Sequence, residues 1–316
     1  MQTGMVVTVS LASALAYALA SVLQQYAAVQ APEADALRVS LLFRLARRPI
    51  WLFGILADIG GFVFQFIALG HGSLVLVQPL LVCGLLFALP LGTVFARLGM
   101  PTRKEWVGAG LTVAGLAVFL VVANPGEGST SATALGWAIV TVATAVPAAA
   151  LTVGARFTTG AARASLLATA AGFIYGLTAA YTKTIAHVVT ANPGSVAHLA
   201  LRVAESWQVY GIAITGLASM VLAQSAFQAG PLGWSLPALT VVDPVVSIIV
   251  GAVAFGEFVN DSVPALAVEA VSLIVMAVGV VIVARSPAVP GRVDPGAAAP
   301  APVETVANVP GHADQP

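Results

Sequence analysis

The sequence predicts an all-α integral membrane protein, a polytopic bundle of nine or ten transmembrane helices arranged as two inverted-topology repeats. Three observations carry that prediction. The composition is 59% hydrophobic and 8% charged, with a mean hydropathy of +0.96, which leaves too little polar cover for the surface of a soluble domain. The apolar residues fall into nine continuous segments, at about 5–29, 50–70, 73–97, 105–123, 134–155, 165–189, 208–228, 235–256 and 264–284. Each suits a hydrocarbon core of roughly 30 Å, which a helix of about 20 residues crosses, and continuous rather than alternating runs select helices over a β-barrel. Finally, GSLVLVQPLLVCGLLFALPLG (72–92) and GPLGWSLPALTVVDPVVSIIVG (230–251) resemble each other. Both open on glycine with a proline seven residues on, Pro79 and Pro237, and a tryptophan and then a glycine come before each, Trp51 and Gly54 before the first, Trp207 and Gly211 before the second.

The first segment is expected to stay on the protein. Ala18-Leu19-Ala20 resembles a signal-peptidase site, but Met1 to Gly4 carry no Lys or Arg and the apolar run is too long for a leader. Between the first two segments, Leu37, Leu41, Leu42 and Leu45 recur at helical spacing with Arg38, Arg44, Arg47 and Arg48 among them. Residues 37–48 therefore read as a basic amphipathic helix on the membrane surface. A short spanning helix is the alternative, but arginines at mid-bilayer cost several kcal/mol.

Positive charge then orients the chain. Arg38, Arg44, Arg47 and Arg48, then Arg97, Arg103 and Lys104, then Arg156 and Arg163, and finally Arg285 and Arg292 all fall on one side of a nine-span topology, against Arg202 on the other. The positive-inside rule makes the first side cytoplasmic, with the C-terminus inside and the N-terminus outside. The second segment and its copy, the seventh, then run in opposite directions. Residues 1–124 are expected to form the first transmembrane repeat and 133–285 the second, while 286–316, rich in Pro and Ala, form a disordered cytoplasmic tail. Residues 192–207 mix Leu199, Leu201 and Val203 with His198, Arg202 and Glu205 and suggest a short external interfacial helix.

An ionisable group inside a bilayer is a functional candidate by default. Asp58 and Gln65 share one face of the second segment with Gly61 and Ala68, which would make a polar groove. Asp243 precedes Pro244, whose missing N–H frees a carbonyl one turn back. Gln78, Tyr175, Lys183 and Gln224 complete the candidate pathway, and Pro79, Pro237 and Pro244 are the expected helix breaks. Lys183 has a plainer reading, snorkelling to the interface, and the buried amides, Gln228 included, have one as helix-to-helix bonds. Glu105 and Glu269 lie near helix ends and read as interfacial, and His71 as a solvated loop residue. If a cation is carried, Asp58 and Asp243 are its candidate ligands. Gly172 and Gly176, extended by Ala168 and Ala180, form a smooth face for packing inside the bundle or for a homodimer.

No Walker A loop, GxGxxG fingerprint, HExxH or Cys/His metal spacing occurs, and Cys83 is a single cysteine. This argues against an ATP-driven pump or an enzyme, and no cofactor is expected. The expected partners are the lipid bilayer and a small-molecule or cation substrate, with no nucleic acid.

QSAFQAGPLGWSLPALTVVDPVVSIIVGAVAFGE (224–257) resembles the penultimate hairpin of the drug/metabolite transporter (EamA-like) superfamily, ending in Gly256-Glu257 where that helix would leave the bilayer. ILADIGGFVFQFIALGHGSLVLVQPLLVCGLLFA (55–88) is closest in pattern to the NIPA-type magnesium transporter branch, with Asp58 and Phe62 where that branch has Glu and Asn. The resemblance implies a secondary transporter of the cytoplasmic membrane working by alternating access. A NIPA-like carrier of magnesium or another divalent cation, and a non-transporting membrane scaffold, are the alternatives.

Overall fold

The computed structural model describes residues 2–28, 43, 45–95, 102–124, 126, 128–191, 195–230, 232–257 and 262–284. Among them the elements are α1 (Gln2–Ala28), α2 (Pro49–His71), α3 (Leu74–Leu81), α4 (Gly84–Phe95), α5 (Arg103–Ala123), α6 (Ala134–Gly154), a 3₁₀ turn at Ala155–Phe157, α7 (Gly160–Ala191), α8 (Val196–Glu205), α9 (Trp207–Ala229), α10 (Leu232–Phe255) and α11 (Val263–Ala284). No strand occurs among these residues, and nine spans, with α3 and α4 forming one, are long and apolar enough to cross a membrane. This is a multi-pass helical membrane protein. The tail 286–316, most of the basic segment 37–48, and Arg97 lie outside the described residues.

The ends of the helices follow their sequences. Pro49 opens α2, where a missing N–H costs nothing. Ser73 caps α3 by accepting from Leu76 N at 3.2 Å, and Ser195 caps α8 through His198 N at 3.4 Å. Glu105, expected near a helix end, lies in the first turn of α5. Its carboxylate turns back onto Thr102 N to complete a capping box, and the side chain is buried. The short helix expected within 192–207 is present as α8.

Proline behaves differently in the two matched stretches. Pro79 precedes a real interruption: α3 ends at Leu81, and Val82, Cys83 and Leu85 make three-residue hydrogen bonds to Pro79, Leu80 and Val82. Gly84 follows, and a Cβ there would stand 2.9 Å from Ala14 O, so the break lets the chain press against α1. Pro237 and Pro244, by contrast, lie inside one unbroken helix, α10. They are not the helix breaks expected, because a proline removes only a single hydrogen bond of a span that its neighbours hold in place.

In lipid, helices associate through close packing because the tails are as apolar as the side chains. The stripes of small residues therefore decide who neighbours whom. α5 lies on α11 where a Cβ on Gly115 would come within 2.6 Å of Met276 N and Ser272 O, and one on Gly279 within 2.5 Å of Gly108 O. α1 packs on α2, and α7 on both α9 and α10. Gly172 and Gly176 face Val242 and Val246 of α10, so the smooth face is spent inside the chain. On α2, Leu52, Phe53, Leu56, Ile59, Val63 and Ile67 are exposed toward lipid while Gly54, Gly61 and Ala68 are buried, which turns the Asp58 face inward.

Candidate functional site

The polar residues gather at two levels. At the first, α2 presents Asp58 and Gln65 toward α1. Tyr17 of α1 lies flat against Gly61, where a Cβ would stand 2.7 Å from its ring, and its hydroxyl donates to Gln65 Oε1 over 2.6 Å. From the other half, α7 contributes Tyr175, beside Ser219 of α9, and α10 contributes Asp243, which accepts from Ser247 Oγ at 3.3 Å. Each tyrosine is within electrostatic reach of both Asp58 and Asp243. Tyr17, Asp58, Gln65, Tyr175 and Asp243 are all part-buried, and together they form a polar cluster drawn from α1, α2, α7 and α10. Among the described residues neither carboxylate has an ion-pair partner.

Gln224 of α9, fully buried, donates from Nε2 to Gln24 Oε1 of α1 at 2.8 Å, so this amide joins helix to helix across the halves. Gln24 also sits beside the Asp58 carboxylate, although its Nε2 has no partner at hydrogen-bond length. Gln78 is 1% exposed and neither polar atom of its amide is satisfied.

The second level lies one helix end away. Lys183 does not snorkel to an interface: it is 2% exposed, 4.6 Å over the Phe255 ring, and paired with Glu257. Glu257, expected where its helix leaves the bilayer, stands two residues past the end of α10 and is buried. Gly256, at φ +60°, turns the chain back so that Glu257 N reaches Gly251 O at 3.2 Å. The Glu257 carboxylate then caps the first turn of α3, its Oε1 accepting from Leu74 N at 2.9 Å and its Oε2 from Val75 N at 3.0 Å. Trp137, Tyr181, Trp207 and Phe255 stack around this corner, with ring centroids 4.9 to 5.7 Å apart. Above it opens a cavity of about 200 Å³ lined by Gly70, His71, Gly72, Ser73, Gly128, Thr130, Lys183 and His187.

Of the residues singled out in the sequence, Asp58, Gln65, Tyr175 and Asp243 come together, Gln224 serves as an interhelical tie, and Lys183 belongs to the second level. Tyr17, Gln24 and Glu257 were missed. A signal existed for Tyr17: Tyr17 and Gly61 precede Tyr175 and Ser219 by the same number of positions that separates Pro79 from Pro237. No group of three or more His, Cys, Asp or Glu side chains suited to a metal occurs among the described residues.

The chain is 28% identical to an uncharacterised protein of Corynebacterium glutamicum over 281 residues, which cover 89% of this chain and 95% of that one. No family model and no solved structure matches the chain.

Proposed function

We propose that this protein is a secondary transporter that moves a small solute across the cytoplasmic membrane by alternating access. The observation that carries the reading is the convergence of two carboxylates, Asp58 from the first half and Asp243 from the second, on a shared pair of tyrosines inside the bundle. Bilayer interiors do not hold lone carboxylates without a use for them. This cluster lies where two repeats of opposite topology would meet, and rocking one against the other would expose it to each side in turn. The resemblance to the drug/metabolite transporter superfamily supports the same reading.

Two carboxylates without a counter-charge among the described residues favour a positively charged solute, which keeps a hydrated divalent cation as a second reading. Magnesium demands octahedral oxygen ligation and retains water. Gln65 and the tyrosine hydroxyls would have to hold that water shell. A thermal-shift screen of purified protein against Mg2+, amines, amino acids and nucleotide sugars, followed by uptake of each hit into proteoliposomes, tests both. Stabilisation and uptake of a hit, both lost in Asp58→Asn, are the expected result. A screen in which no compound both stabilises the protein and is taken up would leave the scaffold reading.

A further inference from the structure

The contact between α3 and α10 is closed at one end by a buried carboxylate. At one end Glu257 ties the two helices together, bonded to Leu74 N and Val75 N of α3 and paired with Lys183 of α7. Leu74 Cβ stands 3.3 Å from where a Gly251 Cβ would be, and the two helices run away from that end in opposite chain directions. At about 1.5 Å of rise per residue, one turn in from Leu74 is Gln78 and one turn in from Gly251 is Ser247, so these two lie at similar depth. Gln78 has both amide atoms unsatisfied in a buried position. Ser247 is itself buried and bonded to Asp243, one turn deeper. A seam between two membrane helices that carries an orphaned amide and a serine, and ends at the Asp243 carboxylate, is poorly made as a permanently dry contact.

We propose that the route from the α2–α3 side of the membrane to the Asp58 and Asp243 carboxylates runs along this seam, and that the Lys183–Glu257 pair is the gate that closes it. The cavity lined by His71, Ser73, Thr130, Lys183 and His187 is the vestibule above the gate. When Glu257 releases Leu74 N and Val75 N, the short α3 is free to tilt about the Val82–Cys83 turn, and water entering the seam meets the Gln78 amide. Glu257 and Lys183 are thus positioning residues, acting on the pathway through α3. This gate rests on the transport reading above, but its test does not use a substrate, so the two can fail separately.

Cys83 is a built-in reporter. It is the chain's single cysteine, buried in the turn after α3, in the same packed cluster as Leu80 and Tyr175. Its labelling by a sulfonated, membrane-impermeant maleimide is measured in right-side-out and inverted membrane vesicles by mass spectrometry. Two variants open the gate in different ways. Glu257→Gln removes the ion pair, and Gly251→Ala keeps both charges but places a Cβ 2.5 Å from Glu257 Oε2. In right-side-out vesicles, either variant should raise the labelling rate by about tenfold through a larger open population. The rate in inverted vesicles should not change. Monodisperse elution on size exclusion identifies folded variants, and one folded variant suffices to decide. An unchanged rate in it, or an equal rise from both sides as a loosened bundle would give, overturns the gate.

Discussion

Tyr17 on α1 donates its hydroxyl to Gln65 on α2 over 2.6 Å, and it does so because Gly61, one turn before Gln65, has no side chain to hold the ring away. This pairing holds the Tyr17 phenol at a fixed place within electrostatic reach of Asp58 and Asp243. Gly61→Val would put branched carbon into space the ring occupies. The expected cost is about 1–3 kcal/mol, as for overpacking elsewhere, and it should be read as a lower thermal midpoint. Tyr17→Phe keeps the packing and loses one hydrogen bond worth about 1 kcal/mol. A Phe variant with a near-normal midpoint and impaired uptake would place the hydroxyl in the pathway.

Asp58→Asn conserves volume and removes the charge. It should abolish coupled uptake of any substrate found while leaving membrane abundance near wild type. Asp58→Leu should lower abundance as well, because Gln24 then loses its polar neighbour. Both are measured in proteoliposomes with the protein quantified alongside. Full activity in the Asn variant rules out a role for the charge.

Lys183→Met leaves the Glu257 carboxylate buried and without its cation, a loss of about 3–5 kcal/mol where a buried pair is broken from one side. The double variant Lys183→Met with Glu257→Gln should recover part of that in a thermal unfolding assay. A single Met variant as stable as wild type would show that the bonds from Leu74 N and Val75 N alone satisfy the carboxylate.

Gly115→Val should separate α5 from α11, since even a Cβ at that position comes within 2.6 Å of the backbone of Met276 and Ser272. Loss of monodisperse protein is the expected outcome. Val at Gly110, where a Cβ would meet nothing within 4 Å, is the matched control and should be tolerated.

Topology has its own test. A reporter active only in the cytoplasm should work when inserted between Arg97 and Lys104 and fail between Asn124 and Thr133. Equal activity at both sites would remove the inverted-repeat argument, which rests on the positive-inside rule.

The sequence by itself determined the spans, and the reason is physical: a hydrocarbon slab requires long apolar helices with satisfied backbones, and that demand is written residue by residue. The inward face of α2 was legible too, because Asp58, Gly61, Gln65 and Ala68 repeat with the helix and the lipid-facing leucines and phenylalanines fall opposite. What a polar residue meets across a helix contact was not. Glu257 could be read only as the end of a span, since nothing near it in the chain reveals that Gly256 turns it back onto Leu74 and Val75. Lys183 likewise offered two local readings, and the choice was made by a carboxylate arriving from α10. Gln24, in a run of ordinary helix formers, gained its meaning from Gln224 on a helix of the other half. Span formation is a local negotiation between side chain and lipid, whereas the pairing of buried polar groups depends on which helices touch and at what depth, and only the tertiary structure decides that.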